Sequence, residues 1–422
     1  MAHLLLIENW VEGTGRLFPK AIRDLGHTFT FITRNPSHYL DETSEKMHPI
    51  FFYAKNILTA ETNDIDSLME FLSIQHQALK FDGVLTICDY YVDTVCQVAR
   101  ALKLPQSFSS NVKTIRRKHL VREALERAGL PNPRFIAGTD WSSTRKAAAN
   151  IGYPLIAKPS DLASSAYVQL VRNEDELRAA YDKLTGFTHN FRDQPRDTIC
   201  LLEEYMDGAE VSVEAITHQG KTSVLGITDK SLTGLPYFIE DGHMFPADLP
   251  EEKFREIVDF ARAALEAVGH DHGISHTEVK LTSKGPRLVE INPRPGGNYI
   301  VELIQRVTGI DLLNVHIELA LDRQPDLSSL ENIQGSAAIK FLIPQSRGKL
   351  IAINGEDQLK SCANVQRWTL KNAQQQDIYP PIDNACYLGF VITHDESGMK
   401  ARDYAEQAIM QLTPDIQEEA EA

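Results

Sequence analysis

Charged and amide residues recur at strand-like spacing in Thr277-Glu-Val-Lys-Leu-Thr-Ser-Lys-Gly-Pro-Arg-Leu-Val-Glu-Ile-Asn-Pro-Arg-Pro-Gly-Gly297. Two alternating runs flank Ser283-Lys284-Gly285, and a three-residue loop ending in glycine is a common hairpin connection. That register sets Thr282 opposite Pro286, Lys280 opposite Leu288 and Glu278 opposite Glu290. Side chains on a strand alternate faces, so Asn292 shares the side of Glu290. Two carboxylates directly opposed stand ~5 Å apart and repel. A cation between them relieves that repulsion. Two carboxylates and an amide oxygen make a hard oxygen site, which suits Mg²⁺ (or Mn²⁺) that also meets substrate phosphates. The plain alternative is a solvent-facing hairpin with ordinary surface charges. The next residues weigh against it. Pro293 and Pro295 fix the backbone on either side of Arg294, and Gly296 and Gly297 let a ligand approach the chain closely. An arginine held rigidly beside a metal is placed to neutralise a transferring phosphoryl group or a developing oxyanion.

Upstream, Tyr153-Pro-Leu-Ile-Ala-Lys158 reads as a short apolar strand ending in lysine. A lysine in a buried strand is costly unless it meets an anion, or it simply emerges at the strand end. Small and hydroxyl residues follow in Ser160-Asp-Leu-Ala-Ser164-Ser165-Ala. Lys118 sits in a basic cluster at the start of a periodic helix, where a solvated helix face is the alternative. Thr198-Ile-Cys-Leu-Leu-Glu203-Glu-Tyr205-Met206-Asp-Gly-Ala-Glu210 reads as a strand and hinge, or as a hairpin with acidic surface residues.

Taken in order across residues 118 to 297, these segments resemble the ATP-grasp superfamily, with Glu278 and Glu290-Ile-Asn292-Pro-Arg294 as its metal-binding signature. The resemblance implies that Lys118, Lys158 and Lys230 bind ATP, the first two at its phosphates. Ser164 and Ser165 would lie in the loop that closes over the phosphates, although that loop lacks the usual glycines. Glu203 and the backbone of Tyr205 and Met206 would meet adenine, and Glu210 the ribose hydroxyls. Glu278, Glu290 and Asn292 would hold one or two metal ions.

The segment from Thr228 to Ala247 is similar to that of bacilysin-type L-amino-acid ligases, which form dipeptides. There the residues matching Glu240 and His243 line the amino-acid site; a loop glutamate and a surface histidine are the alternative. Gly335-Ser-Ala-Ala-Ile-Lys-Phe-Leu-Ile-Pro344 and Tyr387-Leu-Gly-Phe-Val-Ile392 resemble the same group. Asp89 stands where these ligases can place an acid for a substrate amine, or it caps the next helix. The implied reaction has two steps. A carboxylate takes the γ-phosphoryl group of ATP, and an amine then attacks the acyl phosphate. Arg294, also a substrate contact, and the Gly297 N–H would stabilise the charge that develops. His243 would orient the acyl group or take a proton from the amine. The sequence has no G-x-S-x-G and no catalytic-cysteine signature, and the implied reaction needs no nucleophilic side chain.

These residues need a scaffold. Leu4 to Ile7, His27 to Thr33 and Gly83 to Cys88 read as strands, and Leu17 to Leu25 and Asp93 to Leu102 as helices. That alternation predicts an α/β domain with a mostly parallel sheet over 1–107. Gly13-Thr-Gly15 does not complete a dinucleotide fingerprint, because Phe18 stands at the third glycine and no acid clearly ends the second strand. Leu104 to Asn111 reads as a linker, and Lys113 to Ala128 as one helix stopped by Gly129 and Pro131. From Ile151 to about 325, strands, hairpins and two helices alternate. A strand at Ala337 to Ile343 and a helix at Ala405 to Leu412 mark the last part. The expected architecture is α/β overall and α+β in the ATP-grasp part. The ATP-grasp domain covers 108–330 with a lid at about 150–215, and a C-terminal subdomain covers 331–422. The resemblance implies that ATP is clamped between two sheets.

Composition narrows the partners. The 422 residues are 42% hydrophobic and 24% charged, with net charge −15, so nucleic acid is disfavoured as the main partner. The acidic end from Asp415 reads as a solvated terminus. Five cysteines without a C-x-x-C argue against a disulfide framework or a cysteine zinc site and for a reducing, cytoplasmic setting. No signal-like start and no ~18-residue apolar run is present, so no membrane span is expected. The resemblance implies small-molecule substrates and a homodimer. Two alternatives stay open: an ATP-grasp enzyme of purine or carboxyphosphate chemistry, and a nucleotide-binding protein without catalysis.

Overall fold

The computed structural model describes residues 1–40, 47–163, 165–371 and 376–418. The N-terminal sheet has four parallel strands in the order Asn56–Thr59, Thr28–Thr33, His3–Ile7 and Gly83–Leu85. Its apolar runs are continuous because helices cover both faces. Phe18 and Ile22 of the Thr14–Asp24 helix pack on Leu4, Leu6, Phe29 and Phe31. Val92, Val95 and Ala99 of the Val92–Leu102 helix pack with Leu5, Ile7 and Val84 on the other side. The expected linker after Leu104 is instead packed. Ser107 Oγ donates to Val84 O at 2.8 Å, and Phe108 is buried.

The helix expected over 113–128 is broken into Val112–Ile115 and Lys118–Arg127, with Arg117 extended between them. The break restarts a helix at Lys118, whose N–H bonds Ser160 O at 2.9 Å. A four-stranded antiparallel lid sheet follows, in the order Phe135–Gly138, Cys200–Glu204, Leu155–Pro159 and Gln169–Val171. Its edge strand lies upstream of the expected lid start near 150. Leu155, Ala157, Cys200 and Leu202 pack on the lid helices Trp141–Ile151 and Glu174–Gly186. The alternate residues Ile156, Lys158 and Glu203 therefore face the cleft.

Across the cleft lies an eight-stranded sheet. Its first four strands, in spatial order, are Gly285–Asn292, Gly273–Thr282, Ala209–His218 and Lys221–Thr233. Val211, Val213 and Ala215 pack against the Glu251–Ala267 and Lys118–Arg127 helices, leaving Glu210, Ser212 and Glu214 on the opposite face. The metal-signature hairpin pairs Glu278 with Glu290, as expected. Its turn is shorter than expected, with Thr282 opposite Gly285 and Lys280 opposite Arg287. A bulge at Glu278/Val279 absorbs the extra residue and restores the carboxylate pair.

Four helices, not two, lie between Ile151 and residue 325. Two of them, Ile300–Thr308 and Leu312–Leu319, are short and separated by Gly309 at φ 76°. The C-terminal strands Ser336–Leu342, Gly389–Asp395 and Val365–Leu370 extend the same eight-stranded sheet through Ile239–Phe245. The last helix is Ala401–Ile409. All five cysteines are free. Among the described residues, no helix is long and apolar enough to cross a membrane.

Contacts around Arg192 and His316 help tie the N-terminal domain to the rest. Arg192, from the lid, donates to Asn9 O with its guanidinium over Trp10 and Tyr39, and Asn63 Nδ2 donates to Arg192 O at 2.8 Å. His316 bonds Thr86 O through Nε2 at 2.9 Å and packs between Phe18 and Phe108. Burial lowers the His316 pKa to about 4, against the Thr86 bond, which favours the charged ring. Because the folded value is depressed, the stability from the neutral ring is full above the unfolded value of about 6.5 and is lost as pH falls toward 4. The expected loss for this group is about 3 kcal/mol. Urea unfolding at about pH 7 and about pH 4.5 should show that decline, and His316→Gln, which cannot titrate, should reduce it.

Candidate active site

The cleft between the lid sheet and the polar face of the eight-stranded sheet encloses a cavity of about 280 Å³. Alternation explains its chemistry: each sheet gives its apolar residues to helices and turns its ionisable ones inward. So many buried charges persist only if they neutralise one another.

Four groups of contacts do this. On the lid side, Glu203 accepts from Arg122 Nε and Lys158 Nζ, both at 2.7 Å. Lys118 Nζ donates to Leu162 O at 2.7 Å and pairs with Glu290 Oε2 at 2.8 Å. Beneath the opposite wall, Lys230 Nζ meets Glu278 at 2.6 Å, Glu240 at 2.9 Å and Glu210 at 3.0 Å. Lys280 adds a second cation to Glu210 at 3.4 Å. Toward the N-terminal domain, Arg294 Nε donates to Asp89 Oδ2 at 2.6 Å. Finally, His276 Nδ1 lies 2.8 Å from the buried Glu214 Oε1, and Nε2 lies 3.1 Å from Glu278 Oε1.

These contacts set the protonation states. Burial opposes ionisation of Glu290, but Lys118 and Asn292 hold its pKa down to about 2. Burial likewise opposes the charge on Glu240, and Lys230 overcomes it, keeping that carboxyl well below its usual range. Burial would lower Lys230, but its three carboxylates raise it well above the ordinary lysine value. Burial would also lower His276, yet Glu214 and Glu278 push it up to about 9. Lys158 moves the other way: burial lowers it despite Glu203.

The donor set suits a hard cation. Glu278 and Glu290 face one another, and Asn292 Nδ2 donates to Glu290 Oε1 at 2.8 Å. Among the described residues, no cluster of three or more His, Cys, Asp or Glu stands ready as a complete metal cage. Two carboxylates and an amide, completed by substrate phosphates and water, match the habit of Mg²⁺.

The structure brings most of the expected residues to this cavity. Lys118, Lys158 and Ser165 line it, as do Glu203, Tyr205, Met206 and Glu210. Glu240, Glu278, Glu290, Asn292, Arg294 and Gly297 line it too. Ser164 lies outside the described residues.

Four expected residues are engaged by protein partners. Lys230 is buried under its three carboxylates, all of which line the cavity, and does not line it itself. Glu203 lines the cavity with its oxygens paired to Arg122 and Lys158. His243 is buried behind Glu240, with Nε2 3.3 Å from Glu240 Oε2, and does not line the cavity. Asp89 makes no capping bond and holds Arg294 through Oδ2.

Other residues were missed. His276 sits two positions before Glu278 and shares its face, so strand alternation could have found it. Asn298 donates to Glu240 Oε2, Tyr387 OH to Glu240 O at 2.7 Å, and Glu240 N to Asn384 Oδ1 at 3.0 Å. Asn384 and Tyr387 lie 144 and 147 residues from Glu240, and no local pattern marks them.

Comparison with known proteins agrees with this geometry. The ATP-grasp domain family matches residues 151–302, the ATP-grasp N-terminal domain 19–106, and the L-amino acid ligase C-terminal domain 2 residues 340–417. The chain therefore carries an ATP-grasp domain over residues 151–302. Its named relatives are a synthase and ligases. Carnosine synthase 1 of Gallus gallus is 27% identical over 74% of this chain and 34% of that protein. Alanine–anticapsin ligase of Bacillus subtilis (strain 168) is 26% identical over 58% of this chain and 55% of that one. The chain thus spans about a third to about half of these relatives. The crystal structure of L-amino acid ligase from Bacillus licheniformis superposes with a TM-score of 0.80 at 23% identity, covering 99% of each chain, and shows the same fold.

Removing the central cation should be severe. Lys230→Met leaves three buried carboxylates facing one another, and denaturant unfolding should show a loss of about 3–5 kcal/mol. A loss under about 1 kcal/mol, the scale of a surface ion pair, would mean the trio does not need its lysine.

Proposed function

We propose that this protein is an ATP-dependent carboxylate–amine ligase. It joins the carboxylate of an amino acid or related acid to the amine of a second substrate, through an acyl phosphate, and releases ADP and phosphate. One observation carries the reading. Lys118, Lys158 and Arg294 converge on the same cavity as the Glu278/Glu290/Asn292 donor set, while Glu240 and the Asn384 loop line it as well.

Phosphoryl transfer needs mainly positioning and charge neutralisation. In this reading Ile156 of the lid and Val289 of the facing sheet, with Met206, sandwich the base, and the backbone of Tyr205 and Met206 edges it. Lys118 and Lys158 hold phosphates, exchanging part of their pairing with Glu290 and Glu203 for the ligand. Glu278, Glu290 and Asn292 would hold Mg²⁺ (or Mn²⁺), which when bound neutralises phosphate charge. Arg294, braced by Asp89, faces the transferring phosphoryl group and then, with the Gly297 N–H, the tetrahedral oxyanion. Glu240 meets the amino-acid substrate, and His243 supports Glu240 from behind. The C-terminal loop completes that end through Asn384 and Tyr387, and it lies within the region matched by the ligase C-terminal domain family.

The test is ADP and phosphate release with Mg-ATP and pairs of amino acids, with mass spectrometry of products. A product equal in mass to two substrates less water is expected. Arg294→Ala should lower kcat by on the order of 10²-fold or more, with nucleotide binding largely kept. ADP release that depends only on bicarbonate or a ribonucleotide would sink the amide-ligase reading.

A further inference from the structure

Three strands set a polar row across the floor of the cleft. Glu214, His276 and Asn292 are cross-strand partners, and Ser212, Glu278 and Glu290 form the next row. Glu214 is fully buried, a costly place for a carboxylate. It is satisfied by Ser212 Oγ at 2.7 Å, Thr228 Oγ1 at 3.3 Å and His276 Nδ1 at 2.8 Å. His276 turns its other nitrogen to Glu278 Oε1 at 3.1 Å, the oxygen that Lys230 also takes at 2.6 Å. Among the described residues, nothing bonds Glu278 Oε2. One oxygen of Glu278 is therefore pinned by two protein donors, and the other is left toward the cavity that Glu278 lines.

We propose that Glu214 and His276 form a positioning dyad that fixes Glu278, so that Oε2 is presented to the cation accompanying the nucleotide. The inference rests on the reading of Glu278 as a cation ligand. Its logic is that of other metal sites: partners behind a ligand orient it, and their loss costs roughly 10–100-fold in metal affinity. Neither Glu214 nor His276 is asked to touch substrate or exchange a proton. The site of action is the geometry of one carboxylate.

The experiment is calorimetric titration of the full chain with a non-hydrolysable ATP analogue, with and without Mg²⁺. The readout is the gain in affinity that Mg²⁺ confers. His276→Leu should reduce that gain roughly 10–100-fold while leaving metal-free binding within about twofold. His276→Gln keeps an amide donor near the Nε2 position, loses the Glu214 anchor, and should fall between wild type and His276→Leu. If His276→Leu does not fold, His276→Gln and Glu214→Gln take its place, each expected to reduce the gain at least threefold or so. A gain unchanged in these variants, or equal losses with and without Mg²⁺, overturns the dyad. Glu278→Gln separates the two claims. If it abolishes the gain while the His276 variants do not move it, only the dyad fails. If the gain survives in Glu278→Gln, the cation-ligand reading fails first.

Discussion

Lys230 and the three carboxylates around it are the contact on which the site depends. Glu210, Glu240 and Glu278 come from three different strands and converge on one buried ammonium. Without that cation, three desolvated negative charges would repel at short range, and burial would protonate or expel them. With it, the sheet can turn a row of carboxylates toward a closed cleft. The lysine is thus structural in its contacts, yet it keeps the buried Glu240 carboxyl well below its usual range.

The same principle joins the domains. The lid contributes Lys158 and Glu203, neutralised by Arg122 from the Lys118–Arg127 helix. The N-terminal domain contributes Asp89, whose charge holds Arg294 over the cleft. The C-terminal strands extend the central sheet, and the nearby loop secures Glu240 by its backbone. Each domain therefore supplies a counter-charge or a clamp for a group carried by another. Arg192 repeats the pattern away from the cavity, where a lid arginine is buried against the aromatic end of the N-terminal sheet.

Much of the arrangement was legible in local pattern. The continuous apolar runs of the first strands, the hairpin that opposes Glu278 and Glu290, and the shared face of Asn292 all follow from strand periodicity. The hairpin also shows where periodicity ends. A shorter turn and a bulge changed the pairing near the loop, and the two effects compensated at the carboxylates. The helix expected as one piece broke at Arg117, because restarting it places Lys118 against the Ser160 carbonyl. Short helices such as Ile300–Thr308 carry too few turns to stand out from neighbouring strands.

The sequence alone determined which residue types lie on which face of each strand, and the order of its segments carried the resemblance to the ATP-grasp superfamily. The first is a property of neighbours in the chain, and alternation every two residues reports it. Only the tertiary structure decided which charge neutralises which. Arg294 meets Asp89 from 205 residues away, Arg122 meets Glu203 from 81, and Lys230 meets Glu278 from 48. Coulomb attraction acts through space and is strongest where water is excluded. That is why Lys230, Asp89 and His243 took positions behind the cavity wall that no local pattern could assign.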